Sequence, residues 1–149
     1  MHQWVLLVYK VPPEPSARRV YVWRKLKRLG AILLHDAVWV LPATPSTRER
    51  FQWLATEIEE VEGSALVWEA TLRLEGQDNA LVDRFVAQAE AAYRDILAAL
   101  GRPDADRAAL SKQYQQVQTQ DHFHVALGAV VREALAGATI PAAEGGETT

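Results

Sequence analysis

Basic side chains are concentrated in one short stretch of the chain, and their chemistry is that of anion binding. Six lysines and arginines fall within positions 18–28, although the chain of 149 residues carries a formal net charge of −3. Arginine guanidinium groups grip the oxygens of an anion in pairs, and lysine adds a point charge. The pattern predicts a face that binds DNA phosphate or an oxyanion. The predicted binding residues are Arg18, Arg24, Lys25, Lys27 and Arg28, with Tyr21 and Lys10 as weaker candidates.

The basic stretch is predicted to be a helix, because apolar residues recur in it at helical spacing. The stripe that we expect to face the core consists of Val22, Trp23, Leu26 and Leu29. Ser16 is expected to cap this helix and Gly30 to end it. Arg19 lies close to the stripe, so we expect it to extend its charged end to solvent or to pair with a carboxylate. The alternative to a binding face is a solvated helix face whose C-terminal cations favour the helix dipole.

Two further groups of residues have the types found in metal or acid–base sites. Asp121, His122 and His124, with His35 or Asp36, have the types of metal ligands, but two histidines two positions apart diverge on a helix. We therefore expect a helix break there and no metal site. The second group is expected to form a solvated helix face, or to meet the basic helix of a second subunit. Its members are Glu57, Glu59, Glu60 and Glu62.

The chain lacks the motifs of the common enzyme classes. It has no cysteine, which excludes disulfides, a cysteine nucleophile and thiolate metal sites. It also lacks a phosphate loop, a dinucleotide fingerprint and a nucleophile elbow. We expect no catalytic residues and no cofactor, and hence a binding domain rather than an enzyme.

The chain has five tryptophans, and we expect most of them in the core or in a dimer interface rather than as platforms for base stacking. Trp39 and Trp68 lie on predicted strands, and Trp23 and Trp53 on helix faces expected to turn inward. Asp36 lies in an apolar segment, where a buried carboxylate would need a partner such as Arg19.

The first half of the chain predicts an α+β fold. The predicted elements are a strand at 4–11, a helix at 16–29, strand segments at 32–34 and 38–41, a helix from 44–45 to 63 and a strand at 65–74. The two middle strand segments form either a hairpin or one strand bent by a bulge. The order β-α-β-(β)-α-β is typical of a ferredoxin-like antiparallel sheet, which we place in residues 1–75.

The second half predicts helices. A turn at 76–79 precedes a helix that begins at Asp78 or Asn79 and ends near Leu100. Two more helices follow, one capped by Asp104 or Asp106 and reaching about 119, the other at about 125–136. We expect residues 76–137 to form a helical extension packed on the same domain, and 138–149 to be a disordered tail.

Composition predicts a cytoplasmic protein that does not enter a membrane. The apolar run at 5–9 is too short for the core of a signal peptide, and no stretch approaches the roughly 20 apolar residues that span a bilayer. The acidic balance argues against a globally basic nucleic-acid binder, although a local basic patch is compatible with it.

Long continuous phrases of the sequence resemble the N-terminal domain of the chromate-resistance regulator ChrB. They are LLVYKVP, RVYVWRKLKRLGA, DAVWVLP and WLATEIEEVEGSALVWEA. They span about 3–74, half of the chain, and the helical half resembles the family more loosely.

The resemblance implies a ferredoxin-like domain, similar to those of the phenylacetate-operon repressor and the small CRISPR-associated nucleases. It implies a role in the transcriptional regulation of chromate resistance, with chromate as the signal, and it implies a homodimer. Full-length members carry a second domain, so docking of a separate sensor domain is the alternative function. The nuclease relatives place a metal-binding aspartate at the end of the first strand, where this chain has Lys10, which makes a divergent metal-dependent nuclease the less favoured reading.

Overall fold

The computed structural model describes residues 1–137 and has an α+β fold, as the sequence predicts. Its elements are β1 (Trp4–Lys10), α1 (Ser16–Arg28), β2 (Ile32–His35), β3 (Val38–Pro42), α2 (Pro45–Glu60), β4 (Ser64–Ala70), α3 (Glu75–Leu100), α4 (Arg107–Gln120) and α5 (Leu127–Leu135). The chain divides into two compact units, Met1–Asp83 and a second that starts at Arg84 within α3. The tail predicted at 138–149 lies outside the described residues.

The first unit contains a four-stranded antiparallel sheet with the order β2-β3-β1-β4. This is the arrangement of a split β-α-β unit, in which the first strand lies between the third and the fourth. Leu6 of β1 faces Val40 on one side and Trp68 on the other. Val5 and Leu7 of β1 are fully buried, and burial of such a side chain stabilises the fold by roughly 1.5–3 kcal/mol.

Local sequence signals place the start of α2 and the end of α1, whereas α2 ends at Glu60, three residues before the predicted Gly63. Thr44 caps α2 through a reciprocal pair of hydrogen bonds with Thr47, and Pro45 follows at the first helical position. Gly30 follows α1 with a φ of 78°, a left-handed conformation that glycine adopts without steric cost. The segment at 32–42 is a hairpin with an irregular register between Leu33 and His35.

Asp36 is not buried, so it does not need the charged partner that the sequence suggested for it. It lies in the exposed two-residue turn between β2 and β3 with a φ of 42°, a conformation that aspartate tolerates.

Three tryptophans are exposed, although inward positions were predicted for Trp23 and Trp53 and a strand position for Trp68. Their exposed fractions are 50% for Trp23, 65% for Trp53 and 54% for Trp68, whereas Trp4 and Trp39 are buried. The helix faces around Trp23 and Trp53 turn further from the sheet than the apolar stripe indicates.

The fourth strand and the third helix have different bounds from those predicted. β4 ends at Ala70, and α3 begins at Glu75, so the predicted turn at 76–79 is the first turn of the helix. Asp78 explains the early start, because its buried carboxylate accepts hydrogen bonds from the Trp4 indole at 2.8 Å and from the His2 backbone at 3.2 Å. These long-range contacts hold the first turn of α3 in place.

The second unit is helical and has its own apolar core. Ile96 and Val131 are fully buried there, together with Tyr93, whose hydroxyl donates a hydrogen bond of 3.0 Å to Asp121. Gly128 of α5 permits this packing, because a Cβ atom at that position would lie 2.9 Å from the Tyr93 hydroxyl. None of the helices within residues 1–137 is long and apolar enough to cross a membrane.

Candidate anion-binding groove beside the first helix

The buried face of α1 is formed by Val22 and Leu26. The basic side chains lie on both sides of this face and therefore point in different directions. Arg18 lies on the side of α2, where its guanidinium donates a hydrogen bond of 2.9 Å to the carbonyl oxygen of Val61. Arg19 is one residue, or 100°, further around the helix and lies on the opposite side of the buried face. Two neighbouring arginines therefore have different surroundings.

A groove of about 760 Å³ lies along the side of α1 that faces the end of β1 and the turn of the hairpin. Its charged lining residues are Lys10, Arg19, Arg24 and Asp36, and its aromatic lining residues are Tyr9 and Trp23. Three cations thus share the groove with one carboxylate. The arrangement suits an anion that accepts hydrogen bonds from arginine and lysine.

The beginning of α1 adds to the positive character of the groove, which Ser16 also lines. Pro15 occupies the cap position and provides no side-chain hydrogen bond, so the prediction that Ser16 caps the helix is wrong by one position. The first turn contains no acidic residue. The absence of a side-chain cap and the positive end of the helix dipole favour a bound anion at this point.

Tyr9 lines the groove, and its hydroxyl group is close enough to Arg19 to be affected by that charge. Burial raises the pKa of Tyr9, while a hydrogen bond from Trp39 and the charge of Arg19 act in the opposite direction. The indole N–H of Trp39 is only a donor, so the phenolic oxygen of Tyr9 accepts this bond and its own proton is available for a ligand. Because the pKa lies above its ordinary value of 10.0, the hydroxyl keeps that proton at neutral pH.

Lys10 is positioned by the end of β1 and by a close approach of the chain after α2. Lys10 pairs with Ser64 in the sheet register, and Gly63 precedes that residue. A Cβ atom at Gly63 would lie 2.6 Å from the carbonyl oxygen of Lys10 and 2.7 Å from a side-chain carbon of Ile58. Only glycine fits between them without displacement, so Gly63 fixes the backbone that carries Lys10.

The remaining predicted binding residues lie outside the groove lining. Lys25 approaches Glu57 to 3.9 Å, and the Tyr21 hydroxyl donates to the same carboxylate at 3.3 Å. Lys27 lies over the ring of Trp23 at 5.6 Å from its centroid, and Arg28 is exposed. Glu57 therefore contacts the basic helix of its own chain.

The groove brings together Lys10 and Arg24 from the predicted set and adds residues that the prediction omitted. Trp23 was assigned to the core stripe of α1, Arg19 was placed close to that stripe, and Tyr9 was seen only as part of a strand. The position of Arg19 beside the apolar stripe could have indicated its place in the groove. A long basic side chain at that position reaches the edge of the sheet. The end of β1 supplies the other half of the groove, and no sequence pattern connects it to α1.

The histidines and aspartates that have the types of metal ligands do not form a metal site within residues 1–137. No three His, Asp or Glu side chains there form a group able to hold a metal ion. Asp121 accepts hydrogen bonds from Tyr93 and from the backbone N–H of Val125 at 3.1 Å. The ring of His122 contacts Phe85, with centroids 6.1 Å apart. Asp121 is thus a structural residue of the second unit.

Comparison with known proteins agrees with the resemblance seen in the sequence. The family described as "Protein ChrB, N-terminal" matches residues 19–120, which include Arg19, Trp23, Arg24 and Asp36 of the groove. Protein ChrB of Cupriavidus metallidurans is 36% identical over 92 residues, which are 58% of this chain and 28% of that protein. The chain thus matches little more than a quarter of the length of this relative. No solved structure matches the chain. Since the family match covers well over half of the sequence, the chain belongs to the ChrB N-terminal domain family.

Proposed function

We propose that this chain is a cytoplasmic, chromate-resistance-linked transcriptional regulatory domain that binds DNA phosphate or an oxyanion and has no enzymatic activity. The observation that supports the proposal best is the groove, in which Lys10, Arg19 and Arg24 stand against one carboxylate beside an uncapped helix start. Membership of the ChrB N-terminal family supplies the biological setting.

The physical basis of the proposal is local charge in an acidic protein. Cations that neutralise DNA phosphates release counterions, so that the logarithm of the binding constant falls with the logarithm of salt concentration by about 0.9 per phosphate contact. The exposed Arg28, outside the groove lining, extends the positive surface along α1 beyond Arg24. A small oxyanion in the groove would compete with a phosphate for the same donors.

The test is a salt series of binding to the upstream DNA of the protein's own gene, with and without chromate. A variant with Lys10→Ala, Arg19→Ala and Arg24→Ala is expected to lose binding, with a salt slope smaller by up to about 3. The matched control changes Arg50, Arg73 and Arg102, three exposed arginines outside the groove, to alanine and removes the same charge. Equal losses in the two variants would assign binding to overall charge and overturn the proposal for the groove.

A metal-dependent nuclease is the less favoured alternative. Lys10 stands at the end of β1, where its positive charge would repel a divalent cation. Cleavage of DNA or RNA that requires magnesium and stops on chelation would replace the regulatory proposal with this one.

A protein-interaction module is the second candidate, and the exposed apolar residues favour it. Leu66 and Trp68 of β4 are more than half exposed, on a strand at the edge of the sheet. An unpaired strand edge with apolar side chains is suited to pairing with another chain, either a second copy or a separate sensor domain. Sedimentation velocity of the wild type and of Leu66→Ser with Trp68→Ser tests this candidate; a dimer that the double change converts to a monomer would support it.

A further inference from the structure

We propose that the groove beside α1 holds a nucleoside phosphate unit, with the phosphate on Lys10 and Arg19 and the base against Trp23. This inference rests on the proposed anion-binding function and narrows its ligand. The same chemistry is offered by a free nucleotide and by an unpaired nucleotide in a DNA or RNA strand, and the test separates these two sources.

The size of the groove is the first argument. A tetrahedral oxyanion has five heavy atoms and occupies on the order of 100 Å³, given about 30 Å³ for a water molecule in the liquid. The groove measures about 760 Å³, within the usual range of ligand sites. A bare oxyanion would leave most of this space to solvent, whereas a base and a sugar attached to a phosphate extend along it.

The aromatic lining is the second argument. Trp23 is half exposed although its large apolar ring would be more stable in contact with another surface. The ammonium of Lys27 lies over the ring at 5.6 Å and occupies at most one of its faces. Bases of every type stack on such a ring, and a cation near the ring adds to the attraction of an anionic ligand.

The single carboxylate of the groove is the third argument. Asp36 lies at the exposed turn of the hairpin and lines the same groove as the three cations. A carboxylate repels a bare divalent oxyanion but accepts hydrogen bonds from a sugar hydroxyl or from the amino group of a base. The Tyr9 hydroxyl provides a neutral donor next to Arg19 for a phosphate oxygen.

The experiment is calorimetric titration of the full chain with adenosine 5′-monophosphate, ribose 5-phosphate and inorganic phosphate. The nucleotide is expected to bind more tightly than ribose 5-phosphate by about five- to 150-fold, the contribution of one stacked base. Trp23→Ala should erase that difference, and Trp23→Phe should retain part of it. Trp53→Ala, which removes another exposed tryptophan outside the groove lining, should leave it unchanged.

Asp36→Asn gives a second readout, because its effect on affinity should differ in size between the two ligands. It should strengthen binding of inorganic phosphate, because a repelling charge is removed, and should not strengthen binding of the nucleotide to the same extent. A short single-stranded oligonucleotide that binds more tightly than the mononucleotide, and loses affinity in Trp23→Ala, identifies a strand as the source of the ligand. Tighter binding of the mononucleotide identifies a free nucleotide.

The wild type could bind the nucleotide and inorganic phosphate with equal affinity, and the Lys10, Arg19 and Arg24 variant could lose both. That result would overturn the inference of a nucleoside phosphate ligand and leave the proposed anion-binding function intact. Equal effects of Trp23→Ala and Trp53→Ala would also overturn it. If neither nucleotide, phosphate, chromate nor DNA bound, the inference and the proposed function would both fail.

Discussion

The guanidinium of Arg18 donates a hydrogen bond to the carbonyl oxygen of Val61, the residue that closes α2, at 2.9 Å. This contact satisfies a carbonyl group at the end of a helix and ties α1 to α2. It also removes Arg18 from the cations that face the groove, while Arg19 lines it. Arg18 therefore serves the fold, and its neighbour lines the groove.

Arg18→Ala is expected to lower the free energy of unfolding by about 1–2 kcal/mol, because a charged hydrogen bond to a half-buried carbonyl is lost. Arg24→Ala, at an exposed position of the same helix, should change it by less than about 0.5 kcal/mol. Urea denaturation of both variants measures the difference. A destabilisation by Arg24→Ala as large as that of Arg18→Ala would contradict this division of roles.

The carboxylate of Asp78 is expected to make the stability depend on pH in the acid range. The hydrogen bond with His2 is the largest cause that lowers the pKa of Asp78, burial opposes it, and the result is a pKa of about 2 against the ordinary value of 3.8. Because the folded state holds the charged form, the stabilisation is present above 3.8 and is lost as the pH falls towards 2.

Asp78→Asn should therefore lower stability at neutral pH and flatten the pH dependence below 3.8. Asp83→Asn, at an exposed position of the same helix, is the control and should keep the dependence of the wild type. Denaturation midpoints measured at several acid pH values give the comparison. An unchanged acid dependence in Asp78→Asn would show that other carboxylates cause it.

Gly63→Ala is expected to destabilise the first unit by about 1–3 kcal/mol, since the new methyl group would overlap the Lys10 carbonyl oxygen and Ile58. It should also weaken anion binding, because the backbone of Lys10 must move. Gly76→Ala is the control: a Cβ atom there has no heavy atom within 4 Å, and alanine is the better helix former. Thermal unfolding should show opposite shifts for the two variants.

Two buried tyrosines of the second unit should respond differently to removal of the hydroxyl group. Tyr93→Phe removes the hydrogen bond to Asp121 and is expected to cost about 1–2 kcal/mol. The Tyr114 hydroxyl is buried without a hydrogen-bond partner among the described residues, so Tyr114→Phe should be neutral or stabilising by up to about 1 kcal/mol. Chemical denaturation of both variants measures the effect, and a loss of stability in Tyr114→Phe would contradict this expectation.

The sequence alone determined the type and order of the elements of the fold, because most of their signals are local. Thr44 with Pro45 starts α2, Gly30 ends α1, and Asp106 caps α4, each through contacts within a few residues. The start of α3 could not be read in the same way. It depends on Asp78, whose partners His2 and Trp4 lie more than 70 positions away.

Only the tertiary structure decided which cations can act together. Helical periodicity put Arg18 in the predicted binding face and Arg19 close to the apolar stripe. It did not say which side of α1 faces α2 and which faces the end of β1. That choice follows from the packing of α1 on the sheet through Val22 and Leu26. The groove is formed by side chains of α1, β1 and the hairpin turn, and a site shared by three distant segments leaves no spacing in the sequence from which it could be read.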